Sequence, residues 1–161
     1  MIYYIFKNQI FSIFLSMAHL TAITFPERIT DYVGGTEGDF KIYELNKRQS
    51  LVFEPKRKEI DCNFILFEKD AKYYFNIKYS DELASQDIEI KEAQTCSLYS
   101  LIADKKDYQL FDCPRSILFV NKSKAKVKVN DQEFLDRAFL SKGPPIFLNG
   151  KLIYYRGIIY D

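Results

Sequence analysis

The sequence has no tryptophan, a single histidine and three cysteines among 161 residues. That leaves little material for a metal cage or a histidine-based catalytic site, so neither metal nor cofactor is expected. Nor is there an excess of either charge: 23 Lys and Arg stand against 22 Asp and Glu, for a formal net charge of +1. Without a global basic field there is no electrostatic hold on nucleic acid or on an anionic membrane. A long apolar run is also missing. A spanning helix needs about 20 apolar residues, and the one stretch that approaches this, at the amino terminus, is broken by Lys7-Asn8-Gln9.

What is present is 47% hydrophobic and 28% charged residues, the balance of a folded chain of one domain or two very small ones. Aromatics reach 16%, as 14 Phe and 12 Tyr, and sit in short runs with β-branched residues rather than in Ala/Leu/Glu stretches. The expected class is mainly β. An N-terminal β-sandwich over 19–80 is joined by a linker with a short helix, 81–107, to a small C-terminal β region, 108–161.

The first 18 residues stand apart. No acid precedes Glu27, Lys7 joins the amino terminus as a positive region, Ile10 to Ala18 is apolar, and Ser16-Met17-Ala18 has a small-x-small form. This is the pattern of a secretory signal peptide over residues 1–18, with His19 first after cleavage. A transmembrane helix and an uncleaved, amphipathic strand or helix are the competing readings. Export would place the chain in an oxidising compartment, where Cys96 with Cys113 is the first pair to test. Cys62 opens an apolar run and reads equally as a small buried hydrophobe. No cysteine lies near the end of the leader to carry a lipid.

Alternation is cleanest in Lys72 to Ser80, where Tyr73, Phe75, Ile77 and Tyr79 share one face, as in a half-buried antiparallel strand. Cys62 to Phe67 should pair with it through the loop at 68–71. Leu20 to Phe25, Arg28 to Val33, Phe40 to Tyr43 and Leu51 to Glu54 complete six short strands of a sandwich, separated by Pro26, the loop Gly34 to Gly38 and the turn Asn46 to Gln49. In the linker, Leu98, Leu101 and Ile102 have the spacing of one helix face. Ser116 to Val120 and Lys124 to Val129 are further strands, and Lys122, Lys124, Lys126 and Lys128 read as a solvated strand face rather than a phosphate site. Asp131 to Leu140 fits either a capped helix or the return strand of a hairpin. Ile146 to Leu148, Asn149-Gly150 and Lys151 to Tyr155 read as a hairpin, because Asn-Gly accepts the positive φ angles of a type I′ turn.

No reaction is specified by these residues. His19 sits at the proposed new terminus, the carboxylates are scattered in loops, and the Gly34 to Gly38 loop is followed by a strand, not by the helix that a phosphate cradle needs. A cysteine nucleophile would require a depressed thiol pKa. Binding or assembly is the default, and no small-molecule substrate is expected.

The order Leu20-Thr21-Ala22-Ile23-Thr24-Phe25-Pro26, Gly-rich loop, Phe40-Lys41-Ile42, Leu51-Val52-Phe53-Glu54-Pro55, Asn63 to Phe67 and Tyr73 to Ile77 resembles the N-terminal sandwich of the CagX/TrbG/TraK family. Its members are periplasmic components of the outer-membrane core complex of type IV secretion and conjugation systems. The segment Pro144 to Gly150 followed by Tyr154-Tyr155 is similar to the hairpin of that family's C-terminal domain. The resemblance implies a structural subunit in the periplasm, tied to the outer membrane through its partners. Those would be a lipoprotein, an inner-membrane-anchored channel subunit and copies of itself. Docking would use Pro145, Ile146, Phe147, Asn149, Gly150, Tyr154 and Tyr155. A periplasmic adaptor or pilotin-like binding protein is the alternative.

Overall fold

The computed structural model describes residues 1–161, and every regular element in it is a strand. The chain forms two compact units: Met1–Tyr3 with Lys7–Lys91, and Tyr4–Phe6 with Glu92–Asp161.

Two sheets belong, all but Tyr4, Ile5 and Glu92, to the first unit. One has the order β1 (Ile2–Ile5), β9 (Asp87–Glu92), β3 (Thr21–Thr24), β6 (Ser50–Pro55), β5 (Phe40–Leu45), and the other the order β2 (Ile10–Leu15), β8 (Lys72–Tyr79), β7 (Asp61–Glu68), β4 (Ile29–Gly34). The expected pairing of β7 with β8 is present, antiparallel from Asp61↔Lys78 to Phe67↔Lys72. Tyr73, Phe75 and Ile77 point into the core as the alternation requires. Rings from both sheets meet there: Phe40 to Phe53 at 5.4 Å, Phe53 to Phe64 at 5.6 Å, Phe64 to Phe75 at 4.9 Å and Phe75 to Phe11 at 5.2 Å. Each such pair contributes about 0.5–1.5 kcal/mol beyond its buried area.

Residues 1–18, expected as a leader, build β1 and β2. β2 pairs in parallel with β8 over six positions from Ile10↔Tyr74 to Leu15↔Tyr79, and Phe11, Ile13 and Leu15 are buried. The small-x-small site lies inside the turn from β2 to β3. Ser16 there is 1% exposed, donates to Asp81 Oδ1 at 2.5 Å and accepts from Ala18 N–H at 3.1 Å. A chain beginning at His19 would lack both strands.

The stretch 81–107 contains no helix. Asp87 to Glu92 is β9, with Ile88 and Ile90 buried, and Ser100–Asp104 is β10. Helical spacing at Leu98, Leu101 and Ile102 fails because it has nothing to bury against: Leu98 is 85% exposed.

The second unit pairs β10 with β11 (Tyr108–Cys113), β12 (Ser116–Asn121) and β15 (Arg137–Leu140) in one sheet. The other has the order β14 (Gln132–Phe134), β13 (Val127–Val129), β16 (Ile146–Leu148), β17 (Lys151–Tyr155), β18 (Ile158–Ile159). Leu110, Ile117, Phe119, Val129, Leu140, Ile146 and Ile153 fill its core. Of the two readings of Asp131 to Leu140, the return strand is the observed one. Asn130 and Asp131 turn it with φ of 47° and 71°. The terminal hairpin forms as expected, with Asn149 and Gly150 at φ 49° and 82°. Ala125 is exposed and only Val127–Val129 of the lysine tract is a strand, so its alternating face is shorter than the sequence suggests.

Candidate interaction surfaces

The residues expected to dock a partner are divided by the fold. Ile146 and Tyr155 are buried, as is Pro145, so they hold the unit together and offer no surface. Phe147 and Tyr154 are half-buried, and Asn149 and Gly150 are exposed at the tip. Asn149 has internal work as well. Its Oδ1 accepts from Lys128 N–H at 2.9 Å and its own N–H donates to Lys128 carbonyl at 2.7 Å, while Asn130 Oδ1 accepts from Phe147 N–H at 2.8 Å. These bonds clamp the β13–β14 turn to the β16–β17 turn. Burial pushes the Tyr154 hydroxyl pKa up, with the charge of Asp112 adding to it.

A larger surface lies on the outer face of the sheet β10-β11-β12-β15. Its register aligns Leu101 with Phe111, Phe111 with Leu118, and Leu118 with Phe139, one residue from each strand. The neighbours in sequence, Leu110, Ile117, Phe119 and Leu140, face the core. A period of two therefore puts the row on the opposite face. Leu101 is 52% and Phe139 38% exposed, with Phe111 and Leu118 half-buried between them. Tyr99 extends the row, its ring 5.9 Å from that of Phe139. The adjacent row on this face runs Asp104, Gln109, Val120, Arg137.

One end of this face is covered by the segment 94–99. The disulfide Cys96–Cys113 ties it down. Buried Ser116 donates to Gln94 carbonyl at 2.7 Å and shares a hydrogen bond with Tyr99 Oη at 2.8 Å, and that hydroxyl accepts from Cys96 N–H at 3.1 Å. Cys96 with Cys113, the first pair to test, is the one that forms, and it fixes the border of the apolar row.

Neither the family models nor the curated proteins match this chain. The surfaces must speak through their own chemistry.

His19 Nδ1 lies 3.2 Å from Leu20 carbonyl, in the turn after β2. Cys62 is the one free thiol; burial pushes its pKa up and the charges of Asp39 and Asp61 add to this, the opposite of what a nucleophile needs. In the loop Gly34 to Gly38, buried Asp39 accepts from Thr36 N–H at 3.2 Å and pairs with Arg57. Gly34 is required there: a Cβ would come 2.3 Å from Asn63 carbonyl oxygen, and φ is +141°. A cleft of about 870 Å³ beside β4 and the β7–β8 turn is lined by Lys7, Lys69 and Lys72, and equally by Asp31, Glu68 and Asp70, which cancels its field. Lys122 of the lysine tract is held by Asp104 Oδ1 at 2.9 Å and Lys105 carbonyl at 2.7 Å.

Sequence reasoning missed the apolar row. Its residues come from three consecutive strands and from β15, and only the register brings them into line.

Proposed function

We propose that the chain is a non-catalytic subunit that works by protein–protein contact, through the outer face of the sheet β10-β11-β12-β15. The row Leu101, Phe111, Leu118, Phe139 is the observation that carries this reading. An antiparallel sheet with one wet face ordinarily carries polar side chains on that side. An apolar row crossing every strand of a sheet instead marks a surface that gains free energy when covered. Its aromatic members supply large contact area, the usual source of interface hot spots.

The finer reading is part of the same proposal: a structural subunit of a cell-envelope type IV secretion or conjugation complex, in the periplasm. A lipoprotein, an inner-membrane-anchored channel subunit and copies of the chain itself would be its partners. This rests on the order of strand motifs from Leu20 to Tyr79. On this reading the hairpin offers a partner Phe147, Tyr154 and the Asn149-Gly150 tip, while Pro145, Ile146 and Tyr155 act from inside.

The test is photo-cross-linking from position 101 of the full chain in envelopes of its own host, with mass spectrometry of the products. Defined envelope subunits should be captured, and Phe139→Glu should cut their yield about tenfold or more. Capture that survives Phe139→Glu, or no defined product, would remove the face from the proposal.

A further inference from the structure

We propose that the Cys96–Cys113 disulfide is a redox clasp on the apolar face. A dithiol reductant opens it, the segment 94–99 lifts off, and the face gains its full extent. This rests on the reading that the face is an interaction surface, and it names what regulates it.

The register shows what the segment hides. On the outer face, the row next to Leu101, Phe111, Leu118 and Phe139 is the pair Cys113↔Ser116. These two stand two positions along β11 and β12 from Phe111 and Leu118, and so share their face. A face turned away from the core should leave that row open, yet Cys113 is 5% and Ser116 0% exposed. The segment 94–99 supplies the cover, and Tyr99 carries it on to the ring of Phe139. The cover itself is lightly held. Gln94, Thr95, Ser97 and Leu98 are exposed, so it buries little apolar area of its own. Besides the disulfide and the Tyr99 ring, it is tied by two hydrogen bonds to Ser116 Oγ and by a longer one, 3.3 Å, from Gln94 N–H to Arg115 carbonyl.

The two sulfurs differ in access. Cys96 is half-buried and Cys113 is closed off, so a thiolate of the reductant attacks Cys96 Sγ. A bond forms between that sulfur and the reductant, the Cys96–Cys113 bond breaks, and its electron pair leaves on Cys113 as a thiolate. The reductant's second thiolate then attacks its own bound sulfur, closes a disulfide and releases Cys96 as a thiolate. The two protons given up by the dithiol return to the two cysteines, and the reductant is oxidised by two electrons. Ser116 couples this exchange to release of the segment. Its Oγ lies 3.1 Å from Cys113 Sγ, but its one proton is directed at Gln94 carbonyl, 2.7 Å away. A charged Cys113 thiolate is the stronger acceptor and turns that hydroxyl away from Gln94. The step that cuts the covalent tie therefore also loosens a hydrogen-bonded one, and an ordered segment is set free.

Hydrogen exchange and dye binding of the full chain, with and without dithiothreitol, decide the matter. After reduction the Gln94 and Cys96 amides should exchange about a hundredfold or more faster, reaching free-peptide rates, while those of Ile117 and Phe119 keep measurable protection. Fluorescence of bound anilinonaphthalene sulfonate should rise about threefold or more, and Phe139→Glu should abolish the rise. Segment and core amides both at free-peptide rates would mean that the whole unit unfolds, which overturns the clasp. An unchanged segment does so too, as does a rise that survives Phe139→Glu. In host envelopes, Cys113→Ser, which cannot close the clasp, should give about threefold or more cross-linked product from position 101 than the parent. Equal product from both overturns the clasp and keeps the face as an interaction surface. No product from either overturns both. Thermal melts check that Cys113→Ser folds, and the parent with dithiothreitol takes its place if it does not.

Discussion

Glu68 is a carboxyl held at 7% exposure at the end of β7, where its Oε1 accepts the Glu27 N–H at 2.9 Å. Burial raises its pKa above the ordinary glutamate value, against the pull of that hydrogen bond. The native chain therefore holds this proton more tightly than the unfolded chain does. The stability it contributes is complete below the unfolded value, about pH 4, and is lost as pH rises through the folded one. Glu68→Gln keeps the acceptor and removes the charge, so it should raise the melting temperature near neutral pH, with the gain closing in acid. Melts at both ends of that range check it, and a gain of equal size at each end would refute the account. Single residues of this kind were hidden in the sequence. Buried Asn121 is another: it donates to the carbonyls of Ala125 and Leu135 at 2.8 and 2.9 Å and accepts from Ser123 N–H and Oγ. In the sequence it is only a polar residue at the end of an apolar run.

At the scale of elements, β3 to β8 were legible because each lies in an antiparallel pair, and in β7 and β8 a period of two survives translation into sequence. β1 and β2 were not. A short apolar segment with one lysine has the same composition whether it is threaded through a membrane pore or laid at the edge of a sheet. β9 carried its signal in Ile88 and Ile90, but the acids around them read as linker. The terminal hairpin was legible as a hairpin, but three of its expected docking residues, Pro145, Ile146 and Tyr155, are core. The row Leu101, Phe111, Leu118, Phe139 depends on cross-strand register, which no local pattern encodes. A substitution separates the two fates of the first 18 residues. Ile13 is fully buried in β2, so Ile13→Ala in the full chain should cost about 2–5 kcal/mol in urea unfolding. Met17→Ala, at an exposed turn position, should stay within about 0.5 kcal/mol. An Ile13→Ala chain as stable as its parent would mean that β2 does not form part of the folded core.

At the scale of the whole molecule, the two units differ in how they are held. The first relies on ring-to-ring packing between its sheets, while the second adds a covalent tie, Cys96–Cys113, closing a loop of sequence separation 17. Opening a loop of that length should cost about 3 kcal/mol. Reduction should therefore lower the hydrogen-exchange protection of Leu110, Ile117 and Phe119 and leave that of Phe64 and Phe75 unchanged. Equal loss in both sets would show that the tie does more than hold its own unit. The first strand has a further consequence, in time rather than in space. Tyr4 exchanges two backbone hydrogen bonds with Lys142, at 2.7 and 2.9 Å, and Phe6 N–H donates to Ser141 Oγ, a residue 135 positions later. β2 likewise waits for β8. Until β8 and β9 have been made, the opening segment has neither of its strand partners to join. For that stretch of synthesis it is a free apolar peptide, open to whatever in the cell reads such peptides, and its last ties, to Ser141 and Lys142, close only near the end.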